Sequence, residues 1–204
     1  MKTRERILQT ALTLFNEEGE ASVSTNHIAD AMEISPGNLY YHFRNKDQIV
    51  AELFERLNAE LSPLLDVPED LVPELEDVWF FLHHVLERMN AYRFFYDNLT
   101  DITRRLRSVR RQFRFMLEGK QQAAEQLCRA LRRTDVLRAS GEEIERLSAN
   151  LAIVMTYCRI YLTAASATAE GPTDGGAEQV MSLLAPYLRE PERQHLAQLA
   201  LAYR

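Results

Sequence analysis

Apolar residues recur every three or four positions along most of the chain, which predicts helices separated by short polar turns. The first such stripe ends before Gly19, a residue suited to the position after a helix, and consists of Ile7, Leu8, Ala11, Leu12 and Phe15. Between the turn signals, no convincing segment alternates apolar and polar residues as a half-buried strand would. The pattern therefore predicts an all-α protein.

Three short helices are predicted at the N-terminal end, the second starting at Ser24 or Thr25 and the third at Ser35. A longer helix is expected from Lys46 to about Ser62, where Pro63 interrupts it. We place a domain boundary at its start, which divides the chain into residues 1–46 and residues 47–204. The other predicted helices cover residues 71–91, 93–103, 105–134, 142–168, 177–188 and 192–203.

The composition is that of a folded soluble protein, since 46% of its 204 residues are apolar and 26% are charged. The N-terminal segment interrupts its apolar positions with charge, unlike a signal peptide. Residues 151–169 are almost long enough to cross a bilayer, but Arg159 lies at their middle, so we favour a buried interface helix. The isolated Cys128 and Cys158 fit a reducing compartment. We expect a cytoplasmic protein with no membrane partner.

Residues 24–43 predict a helix-turn-helix, whose core needs only Ile28, Ala29, Ile34, Leu39 and Phe43. Four polar or aromatic side chains are left facing outward: Asn26, Asn38, Tyr41 and His42. Pro36 suits the first helical position, where its missing N–H costs nothing. Gly37 would let another backbone approach the start of this helix, whose free N–H groups and dipole favour phosphates and base edges.

The segment SPGNLYYHFRNKDQI, with STNHIADAM ahead of it, strongly resembles the recognition segment of the TetR family of bacterial transcriptional regulators. The resemblance covers about residues 5–53. It implies a helix-turn-helix domain joined to a larger helical domain for ligand binding and dimerisation. It also implies a repressor that binds a palindromic operator in double-stranded DNA as a homodimer and is released by a small-molecule effector.

The resemblance also implies roles for single residues. Thr25 would cap the second helix and meet a phosphate, Asn26 would reach a base, and Lys46 would meet a phosphate. The third helix would enter the major groove and contact DNA backbone or base edges through Pro36, Gly37, Asn38, Tyr40, Tyr41 and His42. One departure is Glu33, where the family often has glycine. A glutamate there either adopts a left-handed conformation or signals a different turn.

Charge is distributed unexpectedly for a DNA-binding protein. Residues 1–50 hold five Lys and Arg against seven Asp and Glu, although a basic domain is expected. Residues 104–138 hold eleven Lys and Arg against three acids, and one helical face is predicted to carry Arg104, Arg107, Arg111 and Arg114. We interpret this face as solvated or paired with the acidic run at residues 66–77. An anionic effector and nonspecific contact with DNA are the alternatives.

The second predicted domain carries more aromatic residues than a plain bundle requires. Most of them are expected to fill the core, but a pocket of such rings suits a small hydrophobic effector. The candidate effector-binding residues are Trp79, Phe80, His83, Tyr96, Phe113 and Tyr157. A lone protomer would expose the apolar face of LAIVMTYCRIYL, so we expect a homodimer formed mainly by the helices at 142–168 and 177–188.

An all-helical enzyme that binds a small molecule is the alternative function. Glu192 and His195 form one Glu-x-x-His motif, whereas a di-iron bundle needs two such motifs and further carboxylates. His83 and His84 are adjacent and point apart on a helix. The sequence has no Gly-rich phosphate loop and no GxSxG motif. We therefore predict a regulator, not an enzyme, and assign no catalytic residue, metal or cofactor.

Overall fold

The structure is a computed structural model that describes residues 2–166 and 175–202. Most of these residues are helical, and the only β-type pairing among them is an isolated antiparallel bridge between Leu137 and Leu188. The prediction of an all-α protein is confirmed. The helices are α1 (Thr3–Glu18), α2 (Thr25–Ala31), α3 (Pro36–His42), α4 (Lys46–Leu65), α5 (Leu75–Ala91), α6 (Arg93–Asp97), α7 (Leu99–Arg105), α8 (Arg107–Arg133), α9 (Gly141–Ala165), α10 (Gly175–Ser182) and α11 (Glu190–Ala202), with a 3₁₀ helix at Ala185–Tyr187.

The chain forms two compact units. The first unit contains the chain up to Glu60 together with Met89–Arg114, and the second contains Leu61–Arg88 and the chain from Phe115 onward. These units differ in extent from the predicted domains, residues 1–46 and 47–204, because residues 89–114 pack with the N-terminal helices. The division into a DNA-binding and an effector-binding domain stays a prediction.

In the first unit, α1 forms the centre of the helix-turn-helix core. Its predicted stripe is buried apart from the half-buried Leu12. α1 ends at Glu18, and the Gly19 that follows it has a positive φ of 83°. Asn16 joins α1 to the start of α6, since its amide donates to the Ala91 carbonyl (2.9 Å) and accepts from the Phe94 N–H (3.1 Å). These bonds explain why residues 89–114 belong to this unit.

The turn between α2 and α3 is a Schellman motif with Glu33 in the left-handed position. Glu33 has a φ of 55°, and its N–H donates to the Asp30 carbonyl at 3.0 Å. The next N–H, that of Ile34, donates to the Ala29 carbonyl at 3.0 Å, which completes the motif. Of the two conformations considered for Glu33, the structure therefore has the left-handed one.

The predicted end of α4 near Ser62 is wrong, because the helix continues through Pro63 to Leu65. A proline within a helix lacks the N–H of one backbone hydrogen bond. Here that loss falls in the last turn, and burial of Leu61 and Leu65 holds the turn in place. Apolar packing thus extends the helix beyond the point that the local sequence favours.

Two other predicted helices are interrupted. The segment 93–103 forms two helices that meet at Asn98, whose side-chain amide donates to the Phe94 carbonyl (2.8 Å) alongside its own backbone N–H. Such local side-chain bonds compete with helix propagation. The predicted helix 177–188 ends at Ser182 and is followed by the 3₁₀ helix, which contains Pro186.

In the second unit, α9 is the longest apolar helix. It begins with a capping box between Ser140 and Glu143 and packs against α10. By length and composition α9 could cross a membrane, but 39% of its most apolar window is buried inside the unit. A core helix of a soluble protein passes the same test, so this feature is weak support for a membrane span. The predicted end of this helix, residues 167–168, lies outside the described residues.

The left-handed conformation of Glu33 should lower the stability of the fold. A residue with a Cβ is strained by roughly 1 kcal/mol in this conformation, and glycine is not. Glu33→Gly should therefore raise the free energy of unfolding by about 0.5–1 kcal/mol, measured by denaturant unfolding followed by circular dichroism. Glu33→Ala is the control, because it removes the carboxylate but keeps the Cβ. Equal effects of both changes would contradict the explanation.

Candidate nucleic-acid interface

The third helix presents its functional candidates to solvent. Pro36, Gly37 and Asn38 are exposed in its first turn, and Tyr41 is 85% exposed. In contrast, Leu39 is fully buried in the unit. The helix therefore separates into an inner face that holds the fold and an outer face of polar and aromatic groups, as the sequence predicted.

Both short helices begin with a serine cap. The Ser24 hydroxyl accepts the His27 N–H (3.1 Å), and the Ser35 hydroxyl accepts the Asn38 N–H (3.2 Å). The implied capping role of Thr25 is therefore wrong, because Ser24 occupies the cap and Thr25 is the first helical residue. The Thr25 hydroxyl instead forms a 3.0 Å hydrogen bond with the Tyr40 hydroxyl. This bond joins the start of α2 to α3.

The other candidates on these two helices differ in their exposure to solvent. Asn26 is exposed at the start of α2, and Tyr40 is 47% exposed. His42 is half-buried, and its ring meets the Tyr41 ring edge-on with 5.1 Å between centroids. A Cβ added to Gly37 would meet only the Ser35 hydroxyl at 3.9 Å. The fold therefore does not require glycine at this position, which leaves close approach by a partner as a reason for it.

Lys46 is not a solvent-exposed cation, as its implied phosphate contact would suggest. Its ammonium donates to the Glu20 carbonyl (2.7 Å) and lies 3.2 Å from the Glu20 carboxylate, which is almost completely buried. The Arg105 guanidinium lies 2.9 Å from the same carboxylate and 3.0 Å from Asp47. Sequence reasoning missed this cluster, because Glu20 and Arg105 lie 85 positions apart and neither belongs to a local motif.

Further ion pairs join α1 to α4. Arg56 forms two 2.6 Å hydrogen bonds with the Glu5 carboxylate, and these bonds hold the pKa of Glu5 below its usual value. Arg4 pairs with Glu52 and stacks over the Phe43 ring, 4.7 Å from its centroid. Several of the few cations in the N-terminal segment thus serve the fold.

The arginines predicted to share one face do not lie on one helix. Leu106 has an extended conformation, so α7 ends at Arg105 and α8 begins at Arg107. Arg104 therefore belongs to a different helix from the other three arginines. Arg107, Arg111 and Arg114 are exposed on the first turns of α8 and belong, like Arg104, to the unit that holds the helix-turn-helix.

The six candidate effector-binding residues are divided between the two units. Tyr96 and Phe113 are buried in the first unit, where each packs against the Phe95 ring. In the second unit, Trp79 is buried against His83, with 5.1 Å between ring centroids, and His83 Nδ1 lies 2.9 Å from the Trp79 carbonyl. The other two candidates, Phe80 and Tyr157, are 44% and 45% exposed.

A small cavity does exist in the second unit, between other residues. It measures about 20 Å³ for the centre of a water-sized sphere, which is room for about one water molecule. Every lining side chain is apolar: Val78, Phe81, Leu82, Ala124, Leu127, Cys128, Leu131, Leu151, Met155, Val180 and Leu184. The sequence pattern marked these positions only as core.

A buried lysine lies one helical turn before the cavity-lining Ala124. Lys120 is fully buried, and its ammonium donates to the Thr156 hydroxyl at 3.3 Å. That hydroxyl in turn donates to the Ala152 carbonyl at 2.7 Å. Burial lowers the pKa of Lys120 to about 7. The apolar core of the second unit thus contains a titratable group that sequence reasoning did not single out.

A helix-turn-helix with an outward-facing third helix, followed by a larger helical unit, defines the class of helix-turn-helix regulators. Residues 7–53 match the profile of bacterial regulatory proteins of the tetR family. Residues 56–196 match the TetR profile described as bacterial transcriptional repressor. The chain therefore belongs to the TetR family, whose members are DNA-binding transcriptional regulators and not enzymes.

Individual relatives agree with this family. A TetR-family regulator from Marinobacter aquaeolei VT8 is 34% identical over 100% of both chains, with a TM-score of 0.90. The regulator AcrR of Shigella flexneri is 33% identical over 91 residues, 42% of this chain and 41% of AcrR. The chain thus aligns with less than half the length of the curated relatives it matches.

A more distant structure shares the fold alone. A transcriptional regulator from Saccharomonospora viridis, solved in complex with choline, is 15% identical and has a TM-score of 0.71. The match covers 92% of this chain and 98% of that one. At this identity the likeness extends to the arrangement of helices and not to the chemistry of a binding site.

Proposed function

We propose that this protein is a repressor that binds a palindromic operator in duplex DNA as a homodimer and is released by a small-molecule effector. The observation that carries the DNA-binding part is the outer face of α3. Its Asn38 and Tyr41 side chains are exposed and take no part in the core. An amide can form paired hydrogen bonds with adenine, and a phenol can meet bases or phosphates in the major groove.

Membership of a family of DNA-binding regulators supports this proposal. The serine caps support it as well, because they fix where α2 and α3 begin. Ser35 fixes the start of α3 while leaving the Asn38 side chain free to project outward. The Thr25–Tyr40 hydrogen bond links α2 to α3 and helps to fix their relative position. We call the helix pair α2–α3 the reading head. It would therefore bind DNA with little change in the arrangement of its two helices.

Substitutions on the outer face of α3 should lower sequence specificity. We expect Asn38→Ala or Tyr41→Ala to weaken binding to a duplex from upstream of its own operon by about 1–3 kcal/mol. Binding to a random duplex should fall less, because contacts with base edges contribute only where the sequence matches. The measurement is fluorescence anisotropy with both duplexes at one salt concentration.

Two variants separate binding from folding in this experiment. Gly37→Ala should keep the fold, since the added methyl meets only Ser35, but should hinder close approach of DNA. Gln122→Ala removes an exposed amide from the second unit and should leave binding unchanged. If wild-type protein did not prefer its own upstream duplex over random DNA, the proposal would be wrong.

A row of exposed apolar side chains on α9 supports the homodimer. The four residues follow helical spacing along one side, and their exposed fractions lie between 42% and 69%: Ile153, Tyr157, Ile160 and Tyr161. Such a surface is characteristic of an interface. Two-fold pairing through α9 and α10 would present two reading heads to the two halves of a palindrome.

A charge placed in this row should separate the protomers. We expect Tyr161→Glu combined with Ile153→Glu to shift the sedimenting species from a dimer to the 23.6 kDa protomer and to abolish tight operator binding. Val72→Glu is the control, because Val72 is exposed elsewhere in the second unit. A wild-type protein that sediments as a monomer at micromolar concentration would contradict the proposal.

The effector is proposed to be a small hydrophobic molecule bound within the second unit. The S. viridis regulator, which shares the fold, was crystallised with a small molecule. In this chain the apolar cavity between α5, α8, α9 and α10 has room for about one water molecule, so the proposal requires it to widen when an effector binds. Helix α4 contributes residues to both units and is the proposed lever between effector and reading head.

Effector binding should be coupled to DNA binding. A ligand that prefers the conformation with poorly spaced reading heads must weaken operator binding, and operator must weaken ligand binding by the same factor, typically about 5–150-fold. Hydrophobic metabolites can be screened by thermal shift, and each hit titrated against the preformed DNA complex. Ala124→Leu, which would fill the cavity, should reduce the shift. Hits that bind without changing operator affinity would refute the coupling.

A further inference from the structure

Four exposed arginines lie at the end of α7 and the start of α8, and we term them the arginine cluster: Arg104, Arg107, Arg110 and Arg111. Among the residues that the structure describes, none of the four has an ion-pair partner. Arg105, which lies between them in the sequence, differs because its guanidinium forms ion pairs with Glu20, Asp47 and Asp101. The cluster is therefore a surface of cations not neutralised by the fold.

The cluster does not stabilise the fold by itself. Three of its members lie in the first turns of α8, near the positive end of the helix dipole, where cations are unfavourable. The first turn of α8 contains no acidic residue that would offset them. Arg107 and Arg111 are also four positions apart on one helix, a spacing at which like charges repel. An anionic partner would relieve each of these costs.

Arg105 fixes where the cluster begins. Its guanidinium lies 3.0 Å from Asp47, the second residue of α4, and 2.9 Å from Glu20, which also binds Lys46. The Cα atoms of Arg104 and Arg107 lie within about 4 and 8 Å of that of Arg105. The cluster thus starts beside the first residues of α4, which directly follow the reading head.

The charge of the first unit shows what the cluster adds. The chain up to Glu60 holds six Lys and Arg against ten Asp and Glu, whereas Met89–Arg114 holds seven arginines against two aspartates. The helix-turn-helix segment alone is therefore acidic, and Lys46, Arg4 and Arg56 are already paired within it. Binding to DNA phosphates gains free energy when protein cations displace the counterions of the DNA. The arginines of the cluster, which have no ion-pair partner among the described residues, are therefore cations of this unit that can do so.

We propose that the arginine cluster is a second DNA-contact surface of the first unit, which binds phosphates of the duplex that flanks the half-site read by α3. This inference rests on the proposed function, because it extends the contact of an operator-binding reading head. The contact is independent of sequence, since arginines that meet phosphates position a protein without reading bases.

The experiment changes all four residues to glutamine and measures DNA binding over a series of salt concentrations. The probes are a duplex that contains the palindrome with its flanks, a shortened duplex that ends at the half-sites, and a random duplex of the longer length. We expect the affinity of the variant for the two longer duplexes to fall about 10–100-fold, and the salt slope to become shallower by about 2–4. The shortened duplex should lose little.

The control variant carries the same change in net charge at a different place. It replaces Arg129, Arg132, Arg138 and Arg146 with glutamine; all four are exposed in the second unit, and three form only surface ion pairs, which contribute little to stability. Unchanged circular dichroism would show that both variants fold. Equal salt slopes for the two variants would overturn the inference, since a loss of overall charge would then explain any effect.

The outcomes also separate this inference from the proposed function. If wild-type protein prefers its palindrome but the cluster variant keeps the wild-type salt slope, the inference alone fails. If wild-type protein shows no preference for its own upstream duplex, the proposed function fails. A third arm uses vesicles that contain phosphatidylglycerol. Binding to vesicles that the cluster variant loses, with DNA affinity unchanged, would assign the cluster to anionic lipid and overturn the proposal.

Discussion

The buried carboxylate of Glu20 is the constraint on which the first unit depends. A carboxylate removed from water costs several kcal/mol unless cations and hydrogen-bond donors surround it. Glu20 receives both Lys46 and Arg105, which come from the start of α4 and the end of α7. Satisfying one charge therefore joins the α1–α2 turn, the helix that follows the helix-turn-helix and a segment more than fifty positions further along the chain. Removal of either Lys46 or Arg105 would leave the buried carboxylate without its full set of partners.

This constraint also divides the cations of the unit by role. Lys46 and Arg105 have little freedom to leave Glu20, because the carboxylate would lose part of its compensation. A phosphate contact by Lys46 would have to be shared with that ion pair. The four arginines of the arginine cluster, in contrast, have no ion-pair partner among the described residues. Structural charges are thus fixed by burial, while the exposed ones are available to a partner, and the sequence alone does not separate the two groups.

The helical fold and the helix-turn-helix could be predicted because their signals are local. Serine caps, a proline in the first turn and the three-to-four-residue spacing of apolar positions act within one or two helical turns. The predictions that needed distant contacts were less successful. The helix through Pro63 depends on burial of Leu61 and Leu65. The interruption at Asn98 was missed for another reason: it accompanies a local side-chain hydrogen bond to the Phe94 carbonyl, which the spacing of apolar residues does not reveal. The six candidate effector residues were chosen for aromatic content, which does not specify which of them meet in space.

Lys120 shows the limit of composition-based reasoning most clearly, because a buried lysine opposes stability. In the unfolded chain its pKa would be about 10.4, whereas burial in the native state lowers it to about 7. Between these values the unfolded chain binds more protons, so this group makes the folded state less stable as pH falls from about 10 to about 7, with no further change below. At neutral pH the second unit therefore carries close to the full cost. An apolar residue of similar length would avoid that cost, so the lysine is a departure from the most stable core, and such departures concentrate where a protein interacts with something else.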